Sequence, residues 1–138
     1  MQPGDLIFAA DPGANGSIVA GTQAEDGTPV VLDLFNIPST LTALVEGIRR
    51  MHDSFALSNH ESYVFLEHNT GFMSGIKASD GEEGGGVSPK AMYSFGRSTG
   101  QLEMAFVACG LPVCRVMPVK WQNAALVSTV RKKLMTPN

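Results

Sequence analysis

Two carboxylates stand at the ends of apolar runs, and they are the strongest chemical signal in the sequence. Asp11 closes one run and opens a turn at Pro12 that contains glycines, and Glu67 closes the run 63–66. A carboxylate at the end of a buried strand is costly without a partner. Two brought side by side would supply the oxygen ligands that Mg²⁺ prefers. The pattern predicts metal-assisted chemistry on a phosphate, with Asp11 and Glu67 as catalytic metal ligands and Mn²⁺ as a substitute ion.

Size and composition indicate one folded domain spanning residues 1–138. The chain is 43% hydrophobic and 17% charged, which is ordinary for a globular protein. No apolar run approaches the ~18 residues of a membrane span, so no membrane partner is expected. The N-terminus lacks the basic region of a signal peptide, which predicts a cytoplasmic location. Two cysteines are too few for a zinc site built on thiolates.

Charge is unevenly distributed along the chain, although the net charge is only −3. Residues 1–76 carry two arginines against nine acidic residues, a net charge of −7. Residues 77–138 carry eight basic residues against four acidic ones, a net charge of +4. An acidic pole that binds metal beside a basic pole that binds phosphate would give this distribution. Uneven scatter over a small protein is the alternative explanation.

The order of periodic segments predicts the fold class. Strands are expected at 5–10, 17–22, 30–37, 62–67 and 111–117, and helices at 41–52, 89–108 and 121–134. Ser39 or Thr40 is expected to cap the first helix, and Gly110 to end the second. A long glycine-rich loop spans 70–89. The order β-β-β-α-β-α-β-α predicts an α/β, ribonuclease H-like fold: a mixed five-stranded sheet with helices on both faces. In that fold the first and fourth strands are neighbours.

Helical spacing also predicts which side chains face the core. In the first helix, the residues at helical spacing are Leu41, Leu44, Val45, Ile48, Met51 and His52. The second is expected to bury Met92, Phe95, Leu102, Ala105, Phe106 and Cys109.

Several segments resemble one family in the same order along nearly the whole chain. Residues 11–16, Asp-Pro-Gly-Ala-Asn-Gly, are similar to the opening motif of RuvC-type Holliday junction resolvases. Leu66-Glu67 resembles their fourth-strand acid. Residues 95–100, Phe-Gly-Arg-Ser-Thr-Gly, are similar to a helix start in their phage-encoded relatives. Residues 110–113 and 116–121 resemble their fifth strand and the turn after it.

The resemblance implies a Mg²⁺-dependent DNA endonuclease that is selective for branched DNA, chiefly four-way junctions. It implies Asp11 and Glu67 as the catalytic acids, attack by a metal-bound water, and ends with 5′-phosphate and 3′-hydroxyl groups. It also implies a homodimer, and for a phage relative the host cytoplasm as location. The second helix, with Gly96 and Gly100, is the candidate dimer surface.

The sequence departs from the family pattern at the C-terminus. The family carries further acids on its last helix, whereas Arg131, Lys132 and Lys133 stand there in this chain. A catalytically impaired protein that binds junction DNA therefore remains an alternative. A phosphotransferase of the sugar-kinase or actin-like superfamily ranks last, because it would need a second domain.

Four basic residues are candidates for DNA contact. Arg97 stands beside a glycine near the start of the second helix, where a phosphate is well accommodated. Lys90, Lys120 and Arg131 would extend a surface that binds the phosphate backbone. The alternative is that these are ordinary solvated surface charges.

Overall fold

The computed structural model describes residues 1–13, 15–68, 89–118 and 120. Its elements are β1 (Leu6–Asp11), β2 (Ser17–Gln23), β3 (Pro29–Asn36), α1 (Leu41–Phe55), β4 (Ser62–Glu67), α2 (Pro89–Ala108) and β5 (Val113–Val116). The predicted helix at 121–134, residue Arg131 and nearly all of the predicted loop at 70–89 lie outside the described residues.

The five strands form one mixed sheet in the order β3-β2-β1-β4-β5. β1, β2 and β3 pair antiparallel as the predicted meander. β4 lies parallel to β1, and β5 lies parallel to β4. Parallel neighbours need a crossover connection, which α1 supplies between β3 and β4. The carboxyl ends of β1, β4 and β5 therefore meet at one edge of the sheet.

The core lies between one face of this sheet and the two described helices. Leu6, Phe8 and Ala10 alternate toward this face and are at most 5% exposed. The Phe8 and Phe106 rings meet there with centroids 5.7 Å apart and planes tilted by 58°. The other core residues are Ile18, Ala20, Leu44, Ile48, Met51, Val64, Leu66, Leu102, Ala105 and Leu111. Both described helices cover the same face, and the third predicted helix lies outside the described residues.

α1 begins as the sequence predicts. The hydroxyl of Thr40, the N-cap residue, accepts a hydrogen bond from the Ala43 N–H at 3.3 Å. Gly47 is buried because the Phe35 ring packs directly on it, and a Cβ there would overlap that ring. Leu41 starts the helical pattern but is 49% exposed, because the first helical residue precedes the turns that reach the sheet.

α2 ends in a Schellman motif at Gly110, which has a φ of +76°. The Gly110 N–H donates to the Val107 carbonyl at 2.9 Å, and the Leu111 N–H donates to the Phe106 carbonyl at 3.0 Å. Because the Leu111 N–H caps the helix, β5 begins at Val113 rather than at residue 111.

The N-terminal turns of α2 differ from the prediction. Met92 is 43% exposed instead of buried. A helix of 20 residues extends about 30 Å, whereas a strand of four residues extends about 13 Å, so the first turns of α2 run past the sheet. Thr99, which the periodicity missed, is buried and satisfies its hydroxyl by donating to the Phe95 carbonyl at 2.9 Å.

A buried carboxylate fixes the amino-terminal end of β1. Asp5 is 1% exposed and accepts hydrogen bonds from the Gln2 N–H at 2.7 Å and the Glu61 N–H at 3.1 Å. Nδ1 of His60 lies 3.4 Å from the same carboxylate. The hydrogen bond from Gln2 is the main reason that the pKa of Asp5 lies below its ordinary value of 3.8. Asp5 thereby ties the N-terminal residues and the α1–β4 connection to the start of β1.

Replacing Asp5 by Asn is expected to destabilise the fold at neutral pH and to lose this effect in acid. The folded-state pKa is depressed, so the carboxylate stabilises the fold above pH 3.8, and this contribution disappears as the pH falls through the lower folded value. Urea unfolding of wild type and Asp5→Asn at pH 7 and at successive values below 3.8 measures the difference. Asp53→Asn, at a side chain that is 83% exposed, is the control. If wild type and Asp5→Asn differed in free energy of unfolding by the same amount at all pH values, the stabilisation would not depend on the ionised Asp5 carboxylate.

Candidate functional site

Asp11 and Glu67 end two adjacent parallel strands. Ala10 pairs with Leu66, so the next residues along β1 and β4 are also neighbours. Adjacent strands lie about 4.8 Å apart. Ala10 and Leu66 are buried beneath the helices, so alternation places both carboxylates on the opposite face. The strand order predicts this juxtaposition, whereas the role of the two acids in metal binding stays a prediction.

β1 extends one residue further than the sequence suggested. Asp11 lies within the strand and pairs with Ser17 of β2, instead of following the strand as a turn residue. β1 is the central strand of the sheet, and the pair with Ser17 fixes the Asp11 backbone on the β2 side.

A cavity of about 540 Å³ opens over the two carboxylates. Asp11 is exposed and Glu67 is half-buried. The cavity lining is Ala9, Ala10, Asp11, Ser17, Val19, Phe65, Glu67 and Val116. Most of these side chains are apolar, and the cavity is open to solvent at the exposed Asp11 side chain. A cation or a phosphate can therefore reach the two carboxylates from solution.

The turn between β1 and β2 requires glycine at position 16. The Gly16 N–H donates to the Gly13 carbonyl at 3.1 Å, and the Gly16 carbonyl accepts from the Ile37 N–H at 3.0 Å. A Cβ on Gly16 would overlap the Asp11 carbonyl oxygen. At Gly13 a Cβ would meet no atom within 4 Å. Gly16 therefore lets β2 return directly beside Asp11.

The donor set fits a hard divalent cation in part. Both groups are carboxylates, the ligand type that Mg²⁺ and Mn²⁺ accept. Within residues 1–13, 15–68, 89–118 and 120, no group of three or more His, Cys, Asp or Glu side chains is placed to hold a metal ion. Mg²⁺ commonly keeps several waters and uses only one or two carboxylates, so the pair is compatible with it.

His68 does not join the carboxylates. Its N–H donates to the Val116 carbonyl at 3.0 Å, which continues the β4–β5 ladder by one residue. Alternation then places its side chain on the helix side of the sheet. Nδ1 of His68 is buried there and has no hydrogen-bond partner among the described residues.

The predicted DNA-binding residues lie near the same end of the sheet. α2 runs antiparallel to β5, and Arg115 fixes the two together by donating to both oxygens of Glu103 at 2.7 and 2.6 Å. Lys90 and Arg97 are exposed on the half of α2 that extends toward the carboxyl ends of the strands. Lys120 is exposed just beyond β5. Arg131 lies outside the described residues.

One argument for Arg97 is wrong. It lies in the interior of α2 rather than at the helix start, so no free N–H groups of a helix terminus accompany it. The helix begins at Pro89, as predicted, so Arg97 lies eight residues after the helix start. Contact between Arg97 and a phosphate would rest on the guanidinium charge alone.

Sequence reasoning overlooked Ser17. It lines the same cavity as the two carboxylates and pairs directly with Asp11. The alternation of β2, in which Ile18 and Ala20 are buried, could have placed Ser17 on the opposite face. Placing it beside Asp11 also requires the register of the β1–β2 hairpin.

Two solved structures share this architecture. A structure of T. thermophilus RuvC in complex with a Holliday junction substrate superimposes with a TM-score of 0.58 at 12% identity, covering 86% of this chain and 70% of that one. A second Thermus thermophilus RuvC structure gives a TM-score of 0.53 at 13% identity, covering 82% of this chain and 64% of that one. The chain has the RuvC-type, ribonuclease H-like fold. At this level of identity the likeness shows the fold alone.

Other comparisons add no assignment. No family model matches the chain, and no curated protein matches it. None of the described helices is long and apolar enough to cross a membrane.

Gly16→Ala is expected to destabilise the protein much more than Gly13→Ala. The added methyl group at position 16 must displace the Asp11 backbone, which typically reduces the free energy of unfolding by about 1–3 kcal/mol. At position 13 there is open space, so the change should stay within about 0.5 kcal/mol. Urea unfolding followed by circular dichroism measures both variants, and equal losses would show that the turn is not constrained at Gly16.

Proposed function

We propose that this chain is a metal-dependent nuclease for branched DNA, with four-way junctions as its principal substrate. The observation that carries this proposal is the adjacency of Asp11 and Glu67 at the carboxyl ends of two parallel strands, over an open cavity. The likeness to RuvC structures, one of them bound to a Holliday junction substrate, supports the choice of substrate.

The two carboxylates would bind and orient a Mg²⁺ ion. Such an ion supplies an activated water nucleophile and stabilises the leaving oxygen of a phosphodiester. The Asp11 backbone is held by its pairing with Ser17, so its position needs little rearrangement on binding. Asp11 is exposed to the open cavity, so a cation can reach it directly from solvent.

The basic residues would hold the DNA backbone beside this acidic site. Lys90 and Arg97 on α2 and Lys120 after β5 are all exposed near the same sheet edge. Contacts of this type add affinity without reading sequence. The separation of acidic and basic halves along the chain supports this division between cation binding and phosphate binding.

An exposed stripe on α2 supports a homodimer. Tyr93, Gly96, Gly100, Met104 and Val107 recur at helical spacing, and all five are exposed. A Cβ on Gly96 or Gly100 would meet no atom within 4 Å, so the protomer itself does not require glycine at these positions. Two copies of this helix could approach closely along the two glycines, with the apolar residues at either end. A two-fold dimer would present two sites to a four-way junction.

A second candidate is a junction-binding protein that does not cleave. The observation that favours it is the absence of a third His, Cys, Asp or Glu beside Asp11 and Glu67 among the described residues. The same contacts to the phosphate backbone would serve either function, so cleavage itself distinguishes the two.

Asp11→Asn and Glu67→Gln are each expected to reduce junction cleavage at least about 100-fold, because each removes a charged cation ligand worth several kcal/mol in the transition state. The measurement is cleavage of a labelled four-way junction with Mg²⁺ by the 138-residue chain, beside a linear duplex. Asp53→Asn and Glu46→Gln on the exposed surface of α1 are matched controls.

The outcomes of this experiment separate the candidates. Junction cleavage that persists in Asp11→Asn would contradict the assigned site. Tight and specific junction binding by the wild type without any cleavage would favour the second candidate.

Gly100→Leu is expected to weaken self-association at least about tenfold without unfolding the protomer. The side chain has open space within the protomer but would separate two closely packed helices. Sedimentation velocity over a range of concentrations measures the monomer–dimer equilibrium. Thr42→Leu, at an exposed position of α1, is the control. A wild type that stays monomeric at all concentrations would contradict the dimer.

A further inference from the structure

The strand register aligns a row of polar residues across the sheet. Asn36 of β3 pairs with Ser17 of β2, and Ser17 pairs with Asp11 of β1. Glu67 continues the row on β4 and pairs with Val116 of β5. Directly paired residues share a face, so these side chains all lie on the face opposite the helices. Four of the five carry oxygen or amide groups.

The next row on the same face is apolar. Leu34 pairs with Val19, Val19 with Ala9, Ala9 with Phe65, and Phe65 with Cys114. Leu34 in this row is 58% exposed although it is apolar. Exposure to solvent therefore does not by itself explain why polar residues occur in the row with Asp11. Polarity is concentrated at the row that contains Asp11 and Glu67.

We propose that Ser17 and Asn36 contact phosphate oxygens of a bound DNA strand, and that this strand crosses the sheet edge from Glu67 toward β3. The inference rests on the proposed function and adds two positioning residues to its site. A hydroxyl and an amide are neutral hydrogen-bond donors. Both types commonly contact phosphates. Two carboxylates repel a phosphate, so neutral donors beside them hold the backbone without competing with the cation for Asp11.

Ser17 is placed for this role by its surroundings. It is half-buried and lines the cavity next to Asp11, so its hydroxyl can be reached from the cavity. None of the side-chain hydrogen bonds between described residues uses its hydroxyl. Ser17 pairs with Asp11 in the β1–β2 ladder, so it stands at a fixed position beside the carboxylate.

Asn36 is anchored to the same turn. The residue after it, Ile37, donates its N–H to the Gly16 carbonyl at 3.0 Å. The end of β3 therefore keeps a constant position relative to Ser17. With strands spaced about 4.8 Å apart, Glu67 to Asn36 spans three intervals, or about 14 Å. This length is comparable to two or three consecutive phosphates of a single DNA strand.

The test compares Ser17→Val with Ser17→Thr. Both replacements are β-branched and nearly equal in shape, but only Thr keeps the hydroxyl. Fluorescence anisotropy measures binding of a labelled four-way junction with Ca²⁺ in place of Mg²⁺. Ser17→Val is expected to bind about three- to tenfold more weakly, the effect of one hydrogen bond, and Ser17→Thr within twofold of wild type. Thermal unfolding of both variants checks that the fold is kept.

Asn36→Leu is expected to weaken binding similarly. Asn59→Leu is its control, in the exposed turn before β4 at the opposite end of the sheet. Calorimetric titration with Mn²⁺ should give the same metal affinity for wild type, Ser17→Val and Asn36→Leu.

Three results would overturn the proposal. Unchanged junction affinity in Ser17→Val and Asn36→Leu would show that neither residue contacts the DNA. A loss of Mn²⁺ affinity in Ser17→Val, with junction binding intact, would assign the hydroxyl to the cation rather than to phosphate. Failure of the wild type to bind any junction would overturn the proposed function itself, which the wild-type titration reveals before any variant is compared.

Discussion

The parallel pairing of β1 with β4 is the constraint on which the rest of the structure depends. These strands are separated in sequence by two strands and a helix, yet their register brings Asp11 beside Glu67. Burial of Phe8 and Leu66 against the helices sets that register. A slip of one residue would turn each carboxylate into the core and each core side chain toward solvent. The free energy that holds the core therefore also holds the site together.

Local signals in the sequence predicted much of this arrangement. Strand and helix order, the Thr40 cap and the Gly110 terminus each depend on residues within a few positions of one another. Asp11 and Glu67 were recognisable because each ends an apolar run. The fold then brought them together through strand order, which required only the sequence of strand and helix types.

Features that depend on contacts between distant elements were missed. The exposure of Leu41 and Met92 follows from where each helix leaves the sheet, which helical periodicity does not contain. The late start of β5 follows from the use of the Leu111 N–H to cap α2. Ser17 acquired its place only through the hairpin register. In each case the local sequence pattern was compatible with either placement of the residue, and contacts with another element determined which one occurs.

The two carboxylates of the β1 segment divide their roles by position. Asp5, before the strand, is satisfied entirely by the protein, whereas Asp11, at its other end, faces a cavity. β1 is the central strand, bonded on both edges, and amides of such strands exchange with solvent only when most of the molecule opens. Asp11 ends this strand and pairs there with Ser17 of β2. A ligand would meet a carboxylate whose backbone is already held in the sheet, so the conformational entropy lost on binding would come mainly from its side chain.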